Sequence, residues 1–183
     1  MVIRRATVED AAAIAVVHVR SWQAAYRGLI AQDYLDGLDP AQRAVLWEQW
    51  LAAADWPRRG TLVAEVSGEV VGFANFVPTQ DDDADPRTVA AITAIYLLPA
   101  QWGTGLGRRL MTATLDALGT AYQEVTLWVL DTNDRARRFY EAGGWRTDGA
   151  VKVDTTLGLP LRVVRYRRSE EHTSELQSRT LIS

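Results

Sequence analysis

The stretch from Tyr96 to Leu110 constrains the fold of this chain more than any other. It reads Tyr-Leu-Leu-Pro-Ala-Gln-Trp-Gly-Thr-Gly-Leu-Gly-Arg-Arg-Leu and passes from an apolar strand through three alternating glycines, Gly103, Gly105 and Gly107, into an amphipathic helix. Glycines let a backbone turn tightly and approach an anion with no Cβ in the way. The N–H groups at the start of the helix point at that anion, and the helix dipole adds to the attraction. Arg108 and Arg109 supply formal charge nearby, so the turn suits a pyrophosphate. Two nucleotide-binding patterns fit poorly. A phosphate loop of the Gly-x4-Gly-Lys-Ser/Thr kind needs a lysine and a hydroxyl after its last glycine, and Arg108 and Arg109 follow Gly107. A dinucleotide fingerprint needs a glycine three places after Gly105, where Arg108 stands. A purely structural strand-to-helix turn remains open on these residues alone.

A second segment carries independent information. From Leu127 the chain reads Leu-Trp-Val-Leu-Asp-Thr-Asn-Asp-Arg-Ala-Arg-Arg-Phe-Tyr-Glu-Ala-Gly-Gly-Trp, a strand, then Asn133, then a short helix that ends in Phe139-Tyr140 ahead of Gly143-Gly144-Trp145. Seven residues separate Asn133 from Tyr140, close to two helical turns, so Tyr140 lies on the face that Asn133 begins. Each residue also has a plain structural reading. Asn133 sits where an N-cap belongs, and Tyr140 suits a core aromatic on an amphipathic helix, with Phe139 as the more buried neighbour.

Together, and in this order with a strand before each, the two motifs resemble those of the GNAT superfamily of N-acetyltransferases. The family pattern in the first motif is Gln/Arg-x-x-Gly-x-Gly/Ala, and the chain departs from it in one letter, with Trp102 in first position. The resemblance runs from about Ile3 to Arg167 in element order. It implies acetyl-CoA as co-substrate, with Gly103, Thr104, Gly105, Leu106, Gly107 and Arg108 cradling the pyrophosphate. It implies that the backbone N–H groups of Ile95, Tyr96 and Leu97 bind the pantetheine and the thioester oxygen. Asn133 then bonds the pantetheine arm or fixes its helix start, and Tyr140 is the general acid to the departing thiolate. Many relatives carry a base, a Glu early in the central strand or in the following one; the corresponding places here hold Ala91 and Trp128. His18 lies on the stripe Ala11, Ile14, Ala15, Trp22 and Ala25, and reads as core-facing or cleft-facing, with a catalytic base as the alternative. In the family the first two helices cover the acceptor, which puts His18, Trp22 and Tyr26 on the acceptor side, together with Tyr34.

Composition limits the alternatives. Twenty Lys and Arg against 23 Asp and Glu argue against a nucleic-acid binder. No cysteine is present, which removes disulfides, thiolate metal sites and a cysteine nucleophile, so acyl transfer goes directly from co-substrate to acceptor or through another residue. The two histidines are His18 and His172, too few for a histidine metal cluster, and no metal is expected. No run approaches a membrane span, and the amino terminus enters a strand without a signal-like region, which points to a cytoplasmic protein with no membrane partner. The last sixteen residues, 168–183, resemble a translated sequencing adapter and are set outside the fold; an ordinary polar tail is the alternative.

The expected architecture is therefore one α/β (α+β) GNAT-like domain over residues 1–167. It has a mixed central sheet of about seven strands and four or so flanking helices in the order β-α-α-β-β-β-α-β-α-β-β. The expected elements are a strand at Val2–Arg5 and a helix from the capping box Thr7-x-x-Asp10 toward Tyr26. A second helical region covers Asp33 to Ala54, with Leu46, Trp47 and Trp50 in one apolar stripe. Strands at Thr61–Val66 and Val70–Val77 are joined through Ser67-Gly68-Glu69, and a loop with four Asp follows from Pro78 to Arg87. A long strand at Thr88–Leu98 is expected to be central and buried on both faces. After the glycine turn comes a helix whose Leu106, Leu110, Ala113 and Ala117 share a face. Glu124–Leu130, Asn133–Ala142, Trp145–Asp154 and Leu161–Arg167 complete the series, with a closing turn at Leu157–Pro160. The expected function is acetyl transfer to a primary amine of a small-molecule acceptor, or of a peptide. The acidic run Asp81-Asp82-Asp83-Ala84-Asp85 either attracts a cationic acceptor or is a solvated loop. Two other classes stay in view: a non-catalytic acyl-CoA sensor, and a protein-binding module that kept the fold. Members of the family often form homodimers, a possibility the resemblance leaves open.

Overall fold

The structure, a computed structural model, describes residues 1–169. Seven strands lie in the order β1-β2-β3-β4-β5-β7-β6. They are β1 (Val2–Arg5), β2 (Gly60–Val66), β3 (Glu69–Pro78), β4 (Val89–Leu97), β5 (Glu124–Leu130), β6 (Arg146–Asp154) and β7 (Leu161–Ser169). Five α-helices accompany them: α1 (Ala11–Ala25), α2 (Gln32–Asp36), α3 (Pro40–Ala52), α4 (Leu106–Gly119) and α5 (Asp134–Ala142). The chain gathers into two compact units. The first comprises Met1–Val77 and Ile92–Ala117; the second comprises, among the described residues, Pro78–Ala91 and 118–169.

In the first unit β1 pairs antiparallel with β2, Val2 opposite Glu65 through Arg5 opposite Leu62. β2 pairs antiparallel with β3 from Gly60 opposite Phe76 to Val66 opposite Glu69. Their hairpin turns on Ser67 and Gly68, both at positive φ (52° and 79°), the backbone twist that a two-residue connection between right-twisted strands requires. Alternation along the strands feeds two separate cores. Val63 and Phe73 point to one side, against Ile14, Ala15 and Val17 of α1 and Trp47 and Leu51 of α3. Leu62, Ala64 and Val71 point to the other, against Leu106 and Leu110 of α4. Ile14 and Leu110 are fully enclosed, and each such side chain contributes about 1.5–3 kcal/mol by leaving water.

Four expectations change here. The first helix is preceded by a 3₁₀ turn, Val8–Asp10, and α1 proper begins at Ala11. Asp10 accepts the Thr7 N–H at 2.8 Å, one half of the expected capping box, while its carboxylate also takes both terminal nitrogens of Arg4 at 2.9 Å. The second helical region divides into α2 and α3 across Gly37–Asp39. Proline at the first position of α3 has no N–H to continue a helix through it, and Asp39 caps the new start by accepting from Ala41 N at 3.0 Å. The stripe of Leu46, Trp47 and Trp50 buries only Trp47, because α3 meets α1 along the Trp47–Leu51 line, one residue per turn. Leu46 and Trp50 are 40% and 43% exposed, Trp50 resting edge-on against Trp47. β4 is likewise shorter and wetter than expected: Val89, Ala90 and Ile92 are buried, Thr93 is exposed and Ala94–Leu97 half-buried. A side-chain ladder explains the exposed hydroxyl, Thr61 Oγ1 to Asn75 Oδ1 at 2.8 Å and Asn75 Nδ2 to Thr93 Oγ1 at 2.5 Å.

In the second unit the start of β4 pairs parallel with β5, Val89 opposite Glu124 to Ala91 opposite Thr126. β5 pairs antiparallel with β7 and β7 with β6, whose register shifts between Thr147 and Val151 around Gly149 at φ 87°. Tyr140 of α5, Trp145 and Tyr166 form the aromatic core, with Tyr140 5.9 Å from Tyr166 and 6.1 Å from Trp145. β7 runs two residues beyond the expected Arg167. Arg168 pairs with Val125 and donates its Nε to Gly143 O at 3.3 Å, and Ser169 pairs with Glu124. The reading of residues 170–183 as a translated adapter lies outside the described residues. Among the described residues no helix is long and apolar enough to cross a membrane, and no cluster of His, Cys, Asp or Glu could hold a metal ion.

Candidate functional site

The glycine turn takes the shape its composition dictates. β4 ends at Leu97, a 3₁₀ turn covers Pro99–Gln101, and α4 starts at Leu106. Gly103 and Gly105 sit at φ 75° and 86°, the left-handed region closed to most residues with a Cβ. A Cβ built on either would meet no atom within 4 Å. The glycines are therefore required by the backbone angles, and the space they leave is open to a ligand. Gly107 differs: it is the second residue of α4 and has no positive φ. Thr104 Oγ1 donates to Gln101 O at 2.7 Å and accepts the Leu106 N–H at 3.4 Å, so it ties the loop to the helix start. Trp102, which replaces the usual Gln or Arg, donates its indole N–H to Leu97 O at 3.0 Å and anchors the loop to the strand that carries Ile95, Tyr96 and Leu97. The first turn of a helix has unsatisfied N–H groups and a positive dipole end, which fits this loop to an anion.

The first unit also brings together the residues expected on the acceptor side. His18 and Trp22 of α1, Tyr26 at its C-terminal end and Tyr96 of β4 form one aromatic group. His18 lies nearly parallel to Tyr96, 5.8 Å between centroids and 20° between planes, and edge-on to Trp22, Trp47 and Phe73. Trp22 meets Tyr26 edge-on at 4.8 Å. The Tyr26 and Tyr96 hydroxyls are 3.1 Å apart. Tyr34 stands half-buried on α2 and makes none of these ring contacts. Trp47 donates its indole N–H to His18 Nδ1 at 3.1 Å. Burial among the rings, reinforced by the positive charge of Arg43, pushes the His18 imidazole down to about 3. Trp22 Nε1 is buried without a hydrogen-bond partner.

In the second unit Asn133 Oδ1 accepts the Ala136 N–H at 3.2 Å, so the capping role holds for this residue. Tyr140 follows on the same helix and is 9% exposed. It is more buried than Phe139, the reverse of the sequence expectation, because α5 turns Tyr140 toward Trp145 and Tyr166. The helix is held to the sheet by Arg137, which donates to Tyr166 Oη at 3.1 Å and to Asp131 O at 2.9 Å, while Tyr166 Oη donates to Glu141 at 2.6 Å.

The acidic run behaves unlike either sequence reading. Arg165 of β7, 5% exposed, donates to Asp83 through both terminal nitrogens at 2.7 Å, to Asp81 at 3.1 Å and, through Nε, to Asp148 at 2.7 Å. Asp85 pairs with Arg87. Arg165 hydrogen bonds hold the Asp83 carboxyl below the usual range. For Asp148, burial pushes up, and the Ala150 N–H and Arg165 outweigh it to bring the group down. Trp128, standing where relatives place a Glu, donates its indole N–H to Asp81 at 3.1 Å, and its ring face receives Lys152 at 4.2 Å and Arg165 at 5.4 Å. The charge of this run is thus largely spent on two arginines. Sequence reasoning missed Arg165 altogether, since its partners lie 82 and 84 residues away and nothing local marks it.

The profile of the acetyltransferase (GNAT) family matches residues 21–145, which include the glycine turn, Asn133 and Tyr140. An uncharacterized N-acetyltransferase of Archaeoglobus fulgidus is 36% identical over 141 residues, covering 76% of this chain and 89% of that protein. The uncharacterized N-acetyltransferase YuaI of Bacillus subtilis is 31% identical over 142 residues, covering 76% and 77%. Among solved structures, yncA of Salmonella typhimurium, determined with its cofactor acetyl-CoA, superposes with a TM-score of 0.68 at 23% identity, over 92% of this chain and 93% of that one.

Proposed function

Because the chain belongs to the GNAT family of N-acetyltransferases, we propose that it moves the acetyl group of acetyl-CoA directly onto the primary amine of a small molecule, or of a peptide. The observation that carries this reading is the turn at Gly103 and Gly105, where left-handed backbone angles and open space at both Cβ positions coincide with the start of α4. The position of that open turn at the positive end of the α4 dipole, beside the unsatisfied N–H groups of the first helical turn, is what fits it to a pyrophosphate. Acetyl-CoA supplies an activated thioester, so the protein has to bind, orient and manage protons.

Gly103, Thr104, Gly105, Leu106, Gly107 and Arg108 hold the pyrophosphate end through backbone N–H groups and charge. The backbone N–H groups of Ile95, Tyr96 and Leu97 hold the pantetheine arm and the thioester oxygen, the role of preorganised donors at a site of developing negative charge. Asn133 fixes the start of α5, and α5 carries Tyr140. Tyr140 keeps its proton at Oη and offers it to the leaving sulfur. A phenol near pKa 10 gives a proton to a thiolate near 8.5 only uphill, by about 2 kcal/mol, so a strong hydrogen bond is its main contribution. His18, Trp22 and Tyr26 wall the acceptor side with rings and hydroxyls. A small amine is preferred over a protein chain end, since nothing in the sequence suggests a peptide groove.

The test is calorimetric titration of the full chain with acetyl-CoA, followed by thiol release against a panel of amines. Binding with turnover on any amine supports the proposal and narrows the acceptor. Binding with no turnover across the panel favours the sensor reading, and no binding overturns the cradle.

A further inference from the structure

His18 packs against groups that fix its protonation state. The indole Nε1 of Trp47 is a donor only, so the His18 Nδ1 that it meets at 3.1 Å must carry a lone pair. A neutral imidazole has one ring proton, which leaves it on Nε2. The neighbours are Trp22 on its own helix, Trp47 and the cationic Arg43 from α3, Phe73 from β3 and Tyr96 from β4. None of these is a carboxylate that would steady an imidazolium. Adding a proton at Nδ1 would also set two donors face to face across the Trp47 contact.

We propose that His18 is a positioning residue: an imidazole kept as the Nε2–H tautomer by Trp47, whose ring holds Tyr96, and through it the Tyr26–Tyr96 hydroxyl pair, in place on the acceptor side. That it acts on the acceptor side rests on the acetyl-transfer reading; the tautomer lock stands without it. As a base, His18 would have to accept at Nδ1, which Trp47 occupies, or at Nε2, which already bears hydrogen. Neither nitrogen can take the acceptor's proton without first breaking the Trp47 bond. What the ring can do is mechanical. It stacks within 20° of the Tyr96 plane, while Phe73 at 6.0 Å and Trp22 at 6.3 Å close the other sides of Tyr96. The Tyr96 hydroxyl then meets that of Tyr26 at 3.1 Å. Tyr96 belongs to the strand segment assigned above to the thioester, so a tilt of this ring would be felt by acceptor and strand together.

The chain has only two histidines, so two-bond 1H–15N correlation spectra of the 15N-labelled full chain separate them directly. From about pH 5 to about pH 8 His18 is expected to show a protonated Nε2, a bare Nδ1 and no titration, and in Trp47→Phe a mixture of tautomers. An Nδ1–H tautomer, or a midpoint near the ordinary value of about 6.5 for His18, would overturn the lock. In turnover, His18→Phe is expected to raise the acceptor KM up to about tenfold. Its kcat should fall well short of the roughly 10²-fold that losing a general base costs, with the pH profile of kcat unshifted. A kcat loss of about 10²-fold or more, or a limb removed from that profile, would overturn the positioning role. Absence of turnover in the unaltered protein would overturn the acetyl-transfer reading and leave the spectra to decide the tautomer.

Discussion

Acidification should destabilise this protein well before its carboxylates titrate, and His18 should be the cause. In the unfolded chain the imidazole takes a proton near pH 6.5, whereas in the folded chain burial and Arg43 delay that to about 3. Between those values the unfolded state binds one more proton than the native state, so stability falls as pH falls, by about 1.4 kcal/mol per pH unit. From pH 6.5 to pH 5 the loss is about 2 kcal/mol, an upper figure because part of the ring still meets water. The carboxylates held low in the fold, Asp10, Asp83, Asp148 and Asp154, act in the same direction but only below about pH 5, since their unfolded counterparts titrate near 3.9. The assay is urea unfolding of the native protein and of His18→Phe at several pH values from neutral to about 5. With a slope of about 2 kcal/mol per molar, the native midpoint should move down by about 1 M while that of the variant stays nearly level. His172 is common to both chains and cancels in the difference. Equal acid shifts in the two proteins would refute the reasoning, because they would show that His18 protonates as readily folded as unfolded.

Tyr140→Phe should lower kcat by about 10²-fold with acetyl-CoA affinity unchanged, read by stopped-time thiol release beside calorimetry. Gly105→Ala places a side chain at φ 86° and in the space left for the ligand; calorimetry should show acetyl-CoA binding weakened at least about tenfold, against a stability loss of only about 1–2 kcal/mol by thermal melting. Arg165→Met leaves Asp81 without its counter-charge and Asp148 with Arg167 alone at 3.2 Å. It should cost about 3 kcal/mol, the lower end for breaking a buried ion pair, since the third partner Asp83 is 62% exposed and relaxes into water. Arg165→Lys should recover only part of that midpoint, because an ammonium cannot reproduce the fork that spans three carboxylates. Asn133→Ala removes the cap of α5 and should lower stability by about 1 kcal/mol.

The order of elements, the hairpin at Ser67-Gly68, the glycine turn and the Asn133 cap were legible because each is written in contiguous residues whose backbone preferences act locally. The break between α2 and α3 had a local signature too, Asp39-Pro40 as cap and first residue, but the apolar spacing across Asp33–Ala54 overshadowed it. Periodicity also overstated burial at Leu46 and Trp50, since it reports which residues share a face and not how wide the facing helix is. The role of Arg165 was not legible, because a guanidinium on the last strand says nothing about three aspartates from a distant loop and a neighbouring strand. The environment of His18 was half legible. Its stripe placed it among apolar residues, and only the packing of α3 showed which nitrogen Trp47 occupies.

The Arg165 junction also sets an order of events during synthesis. Asp81 and Asp83 leave the ribosome more than eighty residues before the arginine that neutralises them. At translation speeds of roughly 5–20 residues per second, the nascent chain carries this uncompensated acidic loop for several seconds. Early in that interval β2 and β3 have been synthesised while β5, β6 and β7 are still to come, and unpaired strand edges are then most prone to join those of other chains. The hydrated negative loop beside them repels neighbouring copies of the same chain. When β7 emerges, Arg165 gathers those charges, and the repulsive guard becomes the clasp of the finished sheet.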